Sequence, residues 1–134
     1  MLALLLCSLV STAQGQYSSK TRTWSYLTAS NDGDEYFIEN ARYVNDYGYR
    51  SAWLKCKEKS TKLNGRTYYN VSTLQLWQID PGQGRYRLLS LATYDSNEKL
   101  LISHDFTRTE FTNVIPGSVG ESIYRAVGEE VDYE

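Results

Sequence analysis

Tyr49-Arg50-Ser51-Ala52-Trp53-Leu54-Lys55-Cys56-Lys57-Glu58-Lys59 is the stretch that decides the fold. Ala52, Leu54 and Cys56 fall on one side of an extended chain, and Ser51, Trp53, Lys55 and Lys57 on the other. Successive strand side chains point to opposite faces, so this alternation reads as a strand buried on one face only. One-sided burial belongs to antiparallel sheets, because parallel strands are covered on both faces. Cys56 lies on the inward face and reads as an inert core thiol.

Outward from this strand the same signals repeat. Residues 22–29 are rich in Thr, Trp and Tyr, Asn31-Asp32-Gly33-Asp34 carries hairpin-turn chemistry, and residues 35–39 run back. Residues 40–44 are predicted as a helical turn, and 45–48 as a turn cluster. Residues 62–65 reverse the chain into a long strand over 66–79, with Leu74 and Leu76 on one face and Val71, Trp77 and Ile79 on the other. Pro81-Gly82-Gln83-Gly84 turns into a strand over 85–95, and a turn at 96–98 leads to another over 99–106. Turns this short permit only antiparallel neighbours.

Pro116-Gly117 ends the extended chain, and Ser118-Val119-Gly120-Glu121 is a capping box with Ser118 as N-cap and Glu121 at N3. Val119, Ile123 and Val127 recur at helical spacing, and Gly128 is predicted as the left-handed stop. The expected fold class is α+β: an antiparallel β-meander of about six strands with one C-terminal helix packed on one face.

The chain has 134 residues, with 14 basic against 16 acidic side chains. That balance lacks the basic surplus of a dedicated nucleic-acid binder. Residues 2–10 form an apolar run broken only by Ser8, with Ala13-Gln14-Gly15 behind it. This reads as a signal peptide over 1–15, cleaved after Gly15, although no Lys or Arg precedes Lys20. Leu5 and Leu6 stand where a lipobox before Cys7 needs small residues. A single domain over 16–128 and an acidic tail over 129–134 complete the organisation. The expected location is secreted, periplasmic or cell-surface.

Chemistry-bearing constellations are few. His104, the one imidazole, is followed by Asp105, but adjacent strand residues face apart and cannot couple. Gly117-Ser118-Val119-Gly120 lacks the glycine pattern of a nucleophile elbow. The acidic run 31–35 lacks EF-hand spacing, and two cysteines with one histidine fall short of a zinc site. Asn70-Val71-Ser72 is a formal glycosylation sequon inside a strand. No catalytic residue, metal or cofactor is expected. The twelve tyrosines stand out, since tyrosine offers a large amphipathic contact at small entropic cost. Tyr47 and Tyr49 flank one turn and Tyr68 and Tyr69 follow another, and these four are the candidate binding residues.

Asn64-Gly65-Arg66-Thr67-Tyr68, Arg85-Tyr86-Arg87-Leu88-Leu89-Ser90, Tyr94-Asp95 and Ile115-Pro116-Gly117-Ser118-Val119-Gly120-Glu121 together resemble the bacterial surface-adhesin protein E family, from about Trp24 to Val127. The resemblance implies an antiparallel sheet with a C-terminal helix on one face, exported to the envelope or surface. It also implies a bridge between two cysteines whose positions are Pro81 and Gly128 here. The expected function is a non-enzymatic binding module that engages a host or envelope protein through a Tyr-rich surface. A homodimer stays open. The rival reading is a carrier of a small hydrophobic ligand or haem between sheet and helix, with His104 or a tyrosine as axial group.

Overall fold

The computed structural model describes residues 22–129. The expected signal peptide, its cleavage after Gly15, Cys7 and the tail beyond Glu129 lie outside the described residues. The chain runs β1 (Trp24–Ala29), β2 (Glu35–Glu39), β3 (Tyr43–Val44), β4 (Arg50–Leu63), β5 (Arg66–Asp80), β6 (Arg85–Tyr94), β7 (Leu100–Asp105), β8 (Thr112–Asn113) and α1 (Val119–Gly128). The strands form one antiparallel sheet in the order β1-β2-β4-β5-β6-β7, with β3 paired to β4 and β8 to β6. The α+β meander with a terminal helix is the expected fold. It has eight strands because two short pieces join the sheet.

One of those pieces replaces the helical turn predicted at 40–44. Tyr43 and Val44 pair with Ser51 and Arg50. The Asn45 carboxamide oxygen accepts from the amides of Tyr47 and Tyr49, and Gly48 takes a φ of +83°, which closes a hairpin. The hairpin between β4 and β5 is tighter. Asn64 and Gly65 both have positive φ, as a two-residue turn matched to strand twist requires.

Register sorts the side chains onto two faces. Ala52, Leu54 and Cys56 of β4 pair with Trp77, Gln75 and Thr73 of β5, so these lie on one face with Ile38 and Ile79. The helix presents Ile123, Ala126 and Val127 to this face, where they are buried against Ile38, Ala52, Leu54, Trp77 and Ile79. Val119 packs at the margin of the same cluster. Burying each large side chain is worth about 1.5–3 kcal/mol, and a ten-residue helix needs such packing to persist. The buried position of Cys56 agrees with the alternation that decided the fold.

Hydrogen bonds lash both helix ends. Ser118 Oγ accepts from the Glu121 amide at 3.2 Å, while the Glu121 carboxylate reaches one residue past the box to accept from the Gly117 amide at 3.1 Å. Gly128 is the last helical residue and lies outside the left-handed region, contrary to the expected stop. The reason is tertiary. Arg42 donates to the Ala126 carbonyl at 2.9 Å, and Arg50 donates to the carbonyls of Gly128 and Glu129, which satisfies the C-terminal acceptors without a glycine cap. A Cβ at Gly128 would meet Ile79 Cδ1 at 3.4 Å, an ordinary van der Waals contact, so neither backbone conformation nor space demands glycine here. Tyr124 ties the middle of the helix to the β5–β6 turn. Its hydroxyl donates to the Asp80 carbonyl at 3.1 Å and accepts from the Gly84 amide at 3.0 Å.

Candidate binding surface

The face away from α1 is where binding chemistry collects. Tyr49 precedes β4 in the same alternation as Ser51, Trp53 and Lys55, and therefore points to this open face. Arg87 pairs opposite Gln78, itself opposite Ser51, and so shares the face. The β8 pairing brings Phe111 beside them. Tyr47 stacks on Tyr49 at 5.8 Å between ring centroids, and Tyr49 meets Phe111 edge-on at 5.0 Å. Arg87 lies 4.3 Å over Phe111 and 5.6 Å from Tyr49, while Arg85 covers Phe111 at 4.9 Å. Both guanidinium groups are anchored, Arg87 by Gln78 and the Thr109 carbonyl, Arg85 by Asp80 at 2.7 Å. Held cations on aromatic faces make a pre-ordered platform. Tyr47 caps it with 82% of its surface exposed.

Tyr68 and Tyr69 stand elsewhere. Tyr68 pairs opposite Thr61, eleven positions beyond Arg50, or about 36 Å along β4. Tyr69 is 67% exposed and Tyr68 is half-buried under Arg66 at 5.0 Å. The four candidate tyrosines therefore split between opposite ends of the β4–β5 hairpin and do not form one patch. Phe111 and the two arginines complete the Tyr47–Tyr49 end, and sequence reasoning missed them. The Arg-Tyr-Arg run of β6 was visible, but no local pattern announced that residues 112–113 pair with it.

A groove opens on the same face nearer β1. It has a volume of about 420 Å³, with Trp24, Trp53, Leu74, Ala92 and Tyr94 as its apolar walls. Arg22 and Lys55 line one side and Asp95 and Glu98 belong to the β6–β7 turn. Leu74 and Leu76, separated from the Val71 face in sequence, lie half-buried on this open face. Beneath the groove Glu39 is 2% exposed, accepting from Arg22 at 2.8 Å and from the Trp53 amide at 3.0 Å.

Among the described residues the helix side is taken up by packed side chains. α1 packs on β1, β4 and β5, and the space between them is filled by the core. His104 sits exposed on the edge strand β7, its ring 4.4 Å from Phe106, so it cannot serve as axial group to a ligand under the helix. Asp105 faces away and accepts from Ser90 Oγ at 2.8 Å. Burial, with Glu58 and Asp34 nearby, pushes the Cys56 thiol up to about 11 even though the Tyr36 hydroxyl hydrogen-bonds it, so the thiol is protonated and unreactive at neutral pH. Burial and Cys56 likewise raise the Tyr36 hydroxyl well above the usual phenol range. Ser118 Oγ is engaged by the Ile115 carbonyl and the Glu121 amide, a cap rather than a nucleophile.

Among the described residues no helix is long and apolar enough to cross a membrane. Searches among curated proteins and among solved structures find no match. The model of one family, surface-adhesin protein E, matches residues 24–127. That span runs from the first residue of β1 into the last turn of α1 and takes in the whole sheet, and the chain belongs to the surface-adhesin protein E family.

Proposed function

We propose that the chain is an exported, non-enzymatic binding module that engages another protein, of a host or of the envelope, through the Tyr47–Tyr49 end of its open sheet face. Membership in a family of surface adhesins supports the coarse reading of an adhesin-like binding module. The observation that carries the finer one is the platform of Tyr47, Tyr49, Phe111, Arg85 and Arg87. An exposed tyrosine stacked on anchored aromatic and guanidinium groups loses little entropy on contact, and Tyr and Arg are the residues that dominate protein interfaces. The carrier reading is set aside, because the helix–sheet interface is packed with side chains.

The test is capture from the native envelope fraction and from host extracellular protein, followed by quantitative binding of what is captured. Tyr47→Ala and Tyr49→Ala should each weaken binding by about 1–2 kcal/mol or more with little change in melting temperature. Equal binding by both variants would exclude this surface. Export is tested separately: the native protein should begin at Gln16, and a mass retaining residues 1–15 would refute cleavage after Gly15.

A further inference from the structure

We propose that the Trp24–Trp53 groove is a second ligand site, built for a small aromatic monocarboxylate and independent of the Tyr47–Tyr49 platform. The volume of about 420 Å³ falls within the range of small-molecule sites. Its apolar walls, Trp24, Trp53, Leu74, Ala92 and Tyr94, lie on the face that the helix leaves open, and they offer ring faces and aliphatic surface to a flat apolar body.

The charges choose among apolar ligands. Arg22 is matched by Glu39 at 2.8 Å, and its guanidinium lies 5.4 Å from the Trp53 ring. Lys55 makes no ion pair among the described residues, and its ammonium stands 5.7 Å from the Trp24 ring. A lysine ammonium without a counter-ion among the described residues, held against one wall of an apolar groove, calls for an anionic acceptor. The β6–β7 turn sets the limit on that charge. Lys55 pairs with Leu74 and Leu74 with Ala92, so Lys55 lies two strands, about 10 Å, from β6 at Ala92, and the acids of the turn stand farther along the chain. Asp95 is held by the amides of Asn97 and Lys99. Glu98 is kept at a φ of +64°, a position where a hairpin ordinarily uses glycine or asparagine. Two carboxylates at that end repel a second negative charge and orient the ligand with its carboxylate toward Lys55. A phosphate or a dicarboxylate fits this arrangement less well than a monocarboxylate.

The experiment uses the full chain and 3-phenylpropanoate as probe, followed by the side-chain N–H signals of the three tryptophans in nitrogen-edited NMR spectra. The Trp24 and Trp53 signals should shift saturably with a sub-millimolar Kd, and the Trp77 signal should not, because Trp77 is buried under the helix with its indole donating to Gln75. Neutral 3-phenylpropanol and inorganic phosphate should each bind at least tenfold more weakly. Lys55→Met, which keeps the aliphatic stem, should raise Kd at least tenfold, whereas Glu98→Gln should leave it unchanged or lower it. No saturable shift below about 10 mM, equal binding of the neutral alcohol, or shifts confined to the Tyr47–Tyr49 end would each overturn the proposal. Failure here leaves the protein-binding reading standing, since neither Tyr47 nor Tyr49 lines the groove.

Discussion

Removing one oxygen atom tests how this domain holds its helix. The Tyr124 hydroxyl is the only side-chain link between α1 and the β5–β6 turn among the hydrogen bonds of the described residues, accepting from Gly84 and donating to Asp80. In Tyr124→Phe the ring keeps its place beside the core, so little apolar burial changes. The Asp80 carbonyl still accepts from the Gln83 amide at 3.1 Å, but the Gly84 amide loses its acceptor. An amide left unpaired in a half-buried site costs about 1–2 kcal/mol, and water reaching Gly84 holds the figure toward the lower end. For a domain near this size that is roughly a 4–10 °C fall in melting temperature. Urea unfolding read by circular dichroism should show a lower midpoint with an unchanged slope. A loss below about 0.3 kcal/mol would mean that the Tyr124 lash is incidental to how the helix is held. Where the resemblance implies a covalent tie, this chain uses Tyr124, Arg42 and Arg50. Pro81→Cys combined with Gly128→Cys asks whether the family's tie can be restored, with a gain of about 2–4 kcal/mol if it closes without strain.

Gly128→Ala should be neutral or stabilising by up to about 1 kcal/mol, since alanine favours a helical residue and the nearest atom stands at 3.4 Å. A loss above that size in a thermal melt would mean that the added methyl is not accommodated against Ile79. Gly33→Ala should destabilise by more than about 1 kcal/mol, because φ is +90° and the new Cβ would lie 2.8 Å from Lys59 Nζ. Alkaline pH should weaken the fold. The Cys56 thiol rises from 9.0 to about 11 on folding, so its contribution is complete below pH 9 and is lost as pH climbs through about 11, with Tyr36 acting in the same direction. Cys56→Ala with Tyr36→Phe should flatten that alkaline limb in pH-dependent melts, and an unchanged limb would assign it to other groups. At pH 8 the native thiol should resist alkylation and react only after unfolding.

Local signals carried most of the architecture. Alternation in β4 named the buried Ala52, Leu54 and Cys56, because strand side chains have a period of two wherever the strand lies. Asn64-Gly65 announced its hairpin and Ser118 its cap for equally local reasons, and Ile123 and Val127 followed from helical spacing. Tertiary structure decided the rest. Gly128 looks like a helix stop when its carbonyl acceptors are counted alone, and ceases to be one once Arg42 and Arg50 arrive from distant positions. Residues 40–44 read as helical until pairing with β4 claimed Tyr43 and Val44. The tyrosines were legible as a class, but only strand length and register parted Tyr47 and Tyr49 from Tyr68 and Tyr69. Trp53 was visibly opposite the core face, yet nothing local said that Trp24, Tyr94 and Lys55 would meet it around one groove. Periodicity is a property of neighbours in the chain, whereas a site is made where strands far apart in sequence lie side by side.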